Sequence, residues 1–364
     1  MSKKTKAAIV LTVLTSSVYL SGCGLLGGGE KAKIDPPADM SYLEEGEKVD
    51  GVKENSEGEV TSSTSTEETD ASESAESVMT ELYLIDSNGY VVSQTLALPK
   101  TESIAKQALE YLVADGPVQN MLPNGFRAVL PAGTEVSVNI KDGTAVADFS
   151  SEFQNYQPED EKKILESVTW TLTQFESVKK VELRVNGYEL TEMPVNGTPI
   201  TQETLSRKVG INNDTSGIAD LTDTHPVTVY FVSQNGDNTY YVPVTKRVSN
   251  KTDNKVEAVV QQLIDGPGPQ KNLLSDFTGV ALLDEPSVKD GQVTLNFNEG
   301  VYGSFEEKIV SEHFMNSLVL SLTEQEGIES VAVMVNGEAE LVNEKGETLS
   351  EPVTRPENVN AISF

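Results

Sequence analysis

From residue 81 onward the chain alternates between two hydrophobic rhythms, and it runs through the same series twice. Apolar residues at every second position mark Val136/Val138/Ile140 and Ala145/Ala147/Phe149, and later Val293/Leu295/Phe297. This is the pattern of strands with one buried face. Elsewhere the spacing is i, i+3, i+4. Ile104, Ala105, Ala108, Leu109 and Leu112 form one stripe, and Val256, Val259, Val260, Leu263 and Ile264 form its counterpart, as an amphipathic helix requires. Thr101 is the expected N-cap of the first such helix. Gly116-Pro117 and Gly266-Pro267 stop the two helices in the order glycine, then proline.

A longer helix is predicted in each half, from Ile164, Val168, Leu172 and Phe175 and from Val310, Phe314, Leu318 and Leu322. The last strands, Val181/Leu183/Val185 and Val331/Val333/Val335, run into Asn-Gly turns. Lys-Asp-Gly at 141–143 and 289–291 predicts tight hairpins, because both residues after the lysine tolerate positive φ. Extended stretches at 81–86 and 90–98, and at 227–233 and 239–248, precede the first helices.

The matched blocks lie at a nearly constant offset, roughly 147 to 150 residues, far longer than a solenoid repeat. The chain therefore carries a domain duplication. The expected fold is α+β: two duplicated two-layer sandwiches, each a mostly antiparallel sheet with two helices on one face. The first domain is placed at 78–212, a linker at 213–225 and the second domain at 226–360. Residues 191–225 and 342–364 read as turn-rich connecting and trailing segments.

The N-terminal part follows other rules. Lys3, Lys4 and Lys6 precede an apolar stretch from Ala7 to Tyr19, shorter than the ~20 residues of a membrane span. This reads as a signal peptide over 1–22. It ends in Leu20-Ser21-Gly22-Cys23, a sequence that resembles a lipoprotein lipobox, and Cys23 is the only cysteine in the chain. Acylation of its thiol is the expected modification. Residues 23–77 are rich in Glu, Ser, Thr and Gly and poor in large apolar side chains, and so read as a disordered tether. With 57 acidic against 27 basic side chains the net charge is −30, which argues against nucleic acid and anionic surfaces as partners.

Candidate chemistry is sparse. His225 and His313 are the only histidines and lack mates at ligand spacing, so both read as solvated side chains and no metal or cofactor is expected. Ser103/Lys106 and Ser177/Lys180 match Ser-x-x-Lys without the companion motifs of penicillin-binding enzymes. Glu159 with Glu161, and Glu306 with Glu307, could serve as a carboxylate pair for glycan cleavage. First-turn acids that complement the helix dipole are the simpler reading. Tyr156, Tyr240, Tyr241 and Tyr302 are candidates for stacking on sugars if exposed, and Trp170 is expected at a core or domain interface.

With these blocks in view, the chain resembles the GerM-type spore germination and sporulation lipoproteins with two tandem GerMN domains. The resemblance is carried by 82–86, 107–117, 124–131, 142–149, 167–174 and 181–187, and continues through 225–226, 240–247 and 341–347. It implies an endospore former, a domain like the ring-building motif of secretion-system rings, and no catalytic residues. It further implies a palmitoylated, membrane-anchored scaffold at the extracytoplasmic face, in the space between mother cell and forespore. Its partners would be proteins of the sporulation envelope complex and the membrane reached through Cys23. A peptidoglycan- or cortex-binding module is the alternative, and a cortex glycan hydrolase a more remote one.

Overall fold

The computed structural model describes residues 76–200, 205–216, 223–252, 254–268, 272–304 and 308–361. By internal contacts the chain divides into Met1–Asp35 and Pro36–Phe364, and every described residue belongs to the second unit. Cys23, nearly all of the predicted tether, and Glu306 and Glu307 lie outside the described residues.

The first repeat opens with β1 (Ser77–Ile85) and β2 (Val91–Pro99), a long antiparallel hairpin. Helix α1 (Ile104–Glu110) follows, capped at Ser103 rather than Thr101, whose hydroxyl accepts from the Ser103 N–H at 3.3 Å. Then come β3 (Val136–Lys141), β4 (Thr144–Phe149), α2 (Glu161–Leu172), β5 (Lys180–Val185) and β6 (Tyr188–Glu189). These four strands form one sheet in the order β3-β4-β5-β6, antiparallel except for the central β4–β5 pair. The fold is thus α+β, with a hairpin and a mixed sheet packed on the helices. The predicted hairpin turns are present, with φ of +50° at Asp142 and +77° at Gly143.

The second repeat follows the same plan. It contains β7 (Thr224–Asn235), β8 (Asn238–Ser249), α3 (Lys255–Asp265), β9 (Ser287–Lys289) and β10 (Gln292–Phe297), then β11 (Tyr302–Ser304), β12 (Ile309–Val310), α4 (Glu312–Thr323) and β13 (Ser330–Val335). Three short strands close it: β14 (Leu341–Asn343), β15 (Thr348–Leu349) and β16 (Val353–Thr354). Its mixed sheet has the order β16-β13-β10-β9, so β16 occupies the flank that β6 holds in the first repeat.

The hairpins show why the second helices carry polar residues among apolar ones. The Tyr83 N–H of β1 donates to Thr171 Oγ1 at 3.2 Å, and Ser167 Oγ donates to the Tyr83 carbonyl. Gln174 accepts from the Glu81 N–H and donates to its carbonyl, at 3.0 and 2.7 Å. In the second repeat the Tyr230 N–H donates to Ser321 Oγ at 2.8 Å, and Gln325 donates to the Thr228 carbonyl at 3.4 Å. A strand edge that faces a helix instead of another strand must satisfy its amides with side chains. Ser167, Thr171, Gln174, Ser321 and Gln325 do so.

Candidate functional site: the repeat junction and the open sheet faces

The carboxylates nominated by sequence divide between surface and scaffold. Glu159 is exposed. Glu161, the first residue of α2, is 1% exposed and accepts from four donors. These are the Tyr156 hydroxyl and the Asn196 N–H, each at 2.7 Å, the Thr198 N–H at 3.1 Å, and the Thr198 hydroxyl. Burial opposes ionisation, but hydrogen bonds from Thr198, Asn196 and Tyr156 outweigh it and hold the carboxyl at about 2. The charged oxygens thus pin the 193–198 loop to the start of α2 and have no lone pair free for substrate.

Glu161→Gln is expected to cost roughly 2–3 kcal/mol at neutral pH. The folded-state value is depressed, so this contribution is complete above about 4.5 and fades as pH falls toward about 2. Denaturant melts of both proteins across that window should converge at the acid end.

The tyrosines nominated for stacking on sugars are mostly interior. Tyr156, Tyr240 and Tyr302 are 9%, 5% and 8% exposed, because each ring fills a core. Tyr241 is half-buried, and burial pushes its hydroxyl up to about 12. The histidines are half-buried rather than solvated. His225 Nδ1 lies 2.9 Å from Asn250 Oδ1 with Nε2 enclosed, and His313 Nδ1 lies 3.2 Å from the Tyr241 hydroxyl. Among the described residues no group of three or more His, Cys, Asp or Glu side chains could hold a metal ion. Lys106 pairs with Glu110 at 2.7 Å, one helical turn along, and Ser177 and Lys180 are both exposed.

The polar side chains converge instead where the repeats meet, and most come from two segments that read as turn-rich. Asn212 accepts from the Val91 N–H of β2 at 2.8 Å. Its amide donates to the Val91 carbonyl at 2.7 Å and to the Pro243 carbonyl of β8 at 2.8 Å. Asn360 does the same from the other end of the chain. It accepts from the Tyr241 N–H at 2.7 Å and donates to the carbonyls of Tyr241 and Ser93, at 2.9 and 2.8 Å. Both asparagines sit at positive φ, +48° and +54°, a region that Asn tolerates better than most residues.

Their neighbours cross between repeats. The Ile211 N–H donates to Thr245 Oγ1 of β8 at 2.8 Å, while Thr95 Oγ1 of β2 donates to the Val359 carbonyl at 2.6 Å. Gly210, at φ +86°, lets the first tail approach β8 closely, since a Cβ there would lie 2.5 Å from Thr245 Cγ2. Glu166 of α2 accepts from the Asn212 N–H at 3.1 Å, and burial pushes its carboxyl up to about 7.

A charged cluster completes the junction. Arg207 lies over the Trp170 ring at 4.3 Å, donates to Thr173 Oγ1 at 3.1 Å and pairs at 2.6 Å with Oε1 of Glu324, the residue that caps the C-terminus of α4. Arg355 donates to Thr323 Oγ1, to the Leu320 carbonyl and to the Tyr230 hydroxyl, and its guanidinium lies 3.4 Å from Glu324 Oε2. Tyr230 donates to that same oxygen at 3.0 Å. Burial disfavours the Glu324 charge, and the two guanidiniums outweigh it, so its carboxyl titrates below the usual range. Trp170, 1% exposed, lies in the core of the first repeat, one of the two placements expected for it, and supports Arg207 from beneath.

Outside the junction each mixed sheet leaves one face partly open. In the first repeat Asn139 and Lys141 of β3, Asp148 of β4, and Lys180, Glu182 and Arg184 of β5 line a shallow concavity of about 730 Å³. The corresponding face of the second repeat keeps Lys289 on β9 but otherwise presents half-exposed, uncharged residues: Thr294 and Asn296 on β10, Ala332 and Met334 on β13.

Relatives account for the whole architecture. The family described as Germane, sporulation and spore germination, matches residues 81–191 and 228–340. The chain is 55% identical over 372 residues to the spore germination protein GerM of Bacillus subtilis strain 168, covering all of both chains. The solved tandem GerMN domains of the sporulation protein GerM from that species share 60% identity. They superpose with a TM-score of 0.75, over 79% of this chain and all of theirs. Two Germane matches in one chain, full-length similarity to GerM and the shared tandem fold together place this chain in the Germane family of sporulation and spore germination proteins, with two tandem GerMN domains.

Proposed function

We propose that the chain is a non-catalytic, membrane-anchored scaffold of sporulation and germination, positioning the envelope complex between mother cell and forespore. One observation carries this reading: two repeats are locked into one body, and each keeps an open sheet face of its own chemistry. The charged face of the first repeat, with Lys141, Lys180 and Arg184 set among Asp142, Asp148 and Glu182, suits a protein partner that bears interleaved charges. Acylation at Cys23 would tie this body to the membrane. A tether over 23–77 would have a coil span on the order of 40 Å, enough to reach across a narrow gap.

The triple change Lys141→Glu, Lys180→Glu, Arg184→Glu tests the face. In sporulating cells, crosslinked partner should fall by about tenfold while the thermal midpoint of the purified protein stays within a few degrees. Unchanged capture removes this face as the docking site. Cys23→Ala should move the chain out of the membrane fraction and impair sporulation more than shortening the tether does. Full function of the released form would reduce the anchor to a sorting signal.

A further inference from the structure

The junction contacts come in pairs, and the pairs obey the offset of the duplication. Asn212 and Asn360 are 148 positions apart, as are Ile211 and Val359, and as are Arg207 and Arg355. Each tail therefore carries Arg-x-x-x-Ile/Val-Asn, a matched block beyond those of the folded repeats. The strand positions correspond too. Val91 faces Ile85 across its hairpin as Tyr241 faces Val232, and Ser93 faces Tyr83 as Pro243 faces Tyr230.

With those equivalences, Asn212 makes two bonds to its own repeat (Val91) and one to the other (Pro243). Asn360 likewise makes two to its own (Tyr241) and one to the other (Ser93). The crossing bonds Ile211–Thr245 and Val359–Thr95 join equivalent residues too, the threonine hydroxyl accepting from the tail in one and donating to it in the other. Within each repeat, Arg207–Thr173 and Arg355–Thr323 anchor the two tails at equivalent positions. A contact in which i meets j and the equivalent of j meets the equivalent of i is self-complementary, as in a two-fold dimer.

We infer that each repeat, together with the tail that follows it, is a self-complementary docking module whose partner is another repeat of the same kind. The surface consists of the second hairpin strand, the end of the second helix and the Arg-x-x-x-Ile/Val-Asn tail. The pairing also has a preference. Where the second repeat has Glu324, the first has Gln174, so a first repeat bound to a second supplies an acid for both arginines. Two first repeats would bring their arginines together without that carboxylate, with Glu81 as the nearby acid. The favoured pair is first with second, within one chain or between chains.

The test uses the full chain with a protease site inserted between Ser216 and Asp223, cut after folding. By gel filtration and native mass spectrometry the halves should remain a 1:1 complex at micromolar concentration. In the cut protein Asn212→Ala and Asn360→Ala should weaken association by similar factors, each about tenfold or more, and Glu324→Gln by at least as much. Released first halves should stay monomeric while keeping their circular dichroism. Halves that part on cutting overturn the inference, and so does a half that unfolds once released. Asn212→Ala, Asn360→Ala and Glu324→Gln halves that associate as tightly as the parent overturn it as well.

Discussion

Replacing Glu324 with glutamine is expected to lower the unfolding free energy by roughly 3 kcal/mol at neutral pH, among the largest effects of any single conservative change here. The substitution keeps the shape of the side chain and removes one charge. It leaves Arg207 at 2.6 Å and Arg355 at 3.4 Å around a neutral amide. Removing one partner of a buried ion pair costs about 3–5 kcal/mol, because the remaining charge stays desolvated. The low end applies, since the two arginine side chains are 30% and 27% exposed. The folded-state carboxyl is depressed below 4.5, so its contribution is fully present above that value and is lost as pH falls through the folded-state pKa. Urea melts at neutral pH and at successively lower pH should show the two proteins converging. A loss under about 1 kcal/mol at neutral pH would mean that water already neutralises the arginines.

Trp170→Ala is expected to cost about 3–5 kcal/mol, the usual range for deleting a large buried aromatic side chain. The indole is 1% exposed, donates from Nε1 to the Gly210 carbonyl at 3.1 Å, lies 5.6 Å from the Tyr83 ring and supports Arg207. Truncation removes apolar contact, leaves a buried carbonyl without its donor and frees the arginine that reaches Glu324. Trp170→Phe should recover roughly half the loss, because it restores ring contact but not the Nε1 donor. As Trp170 is the only tryptophan, its fluorescence in the parent chain reports the junction directly. Denaturant melts followed by emission and by circular dichroism should coincide. An emission change well before the loss of secondary structure would show that the junction opens before the repeats unfold.

Much of the fold was legible because the relevant signals are local. Period-two alternation placed β3, β4, β10 and the final strands, and the Asp-Gly and Asn-Gly turns marked where the chain must take positive φ. The duplication doubled every such signal. The candidate site was less legible, for a different reason. Tyr156, Tyr240 and Tyr302 have a polar tip on an apolar body, and their number in a sequence does not say which end wins. Only the surrounding core decided that they are buried. The acid cluster at the start of α2 looked like a dipole partner or a catalytic pair. Glu161 is indeed a first-turn acid, but its oxygens are taken up by Thr198 and Asn196, which fold back onto it from more than thirty positions away.

The tails were the largest omission. Asn, Gly and Arg in turn-rich segments carry no periodicity, yet the 148-residue spacing of Arg207/Arg355 and Asn212/Asn360 was present in the sequence. Seeking the repeat offset beyond the regular elements would have exposed the junction.

Joining the two halves in one chain has a consequence for what the axis of the junction can contain. Two separate identical subunits meeting on a two-fold axis must contribute residues in even numbers, so two arginines would face two acids or none. A fused pair is free of that parity. Gln174 and Glu324 could diverge, leaving one carboxylate in direct contact with both Arg207 and Arg355. Linkage also makes the association intramolecular, with an effective concentration in the millimolar range for short flexible linkers. A largely polar junction can then stay closed even at low protein concentration.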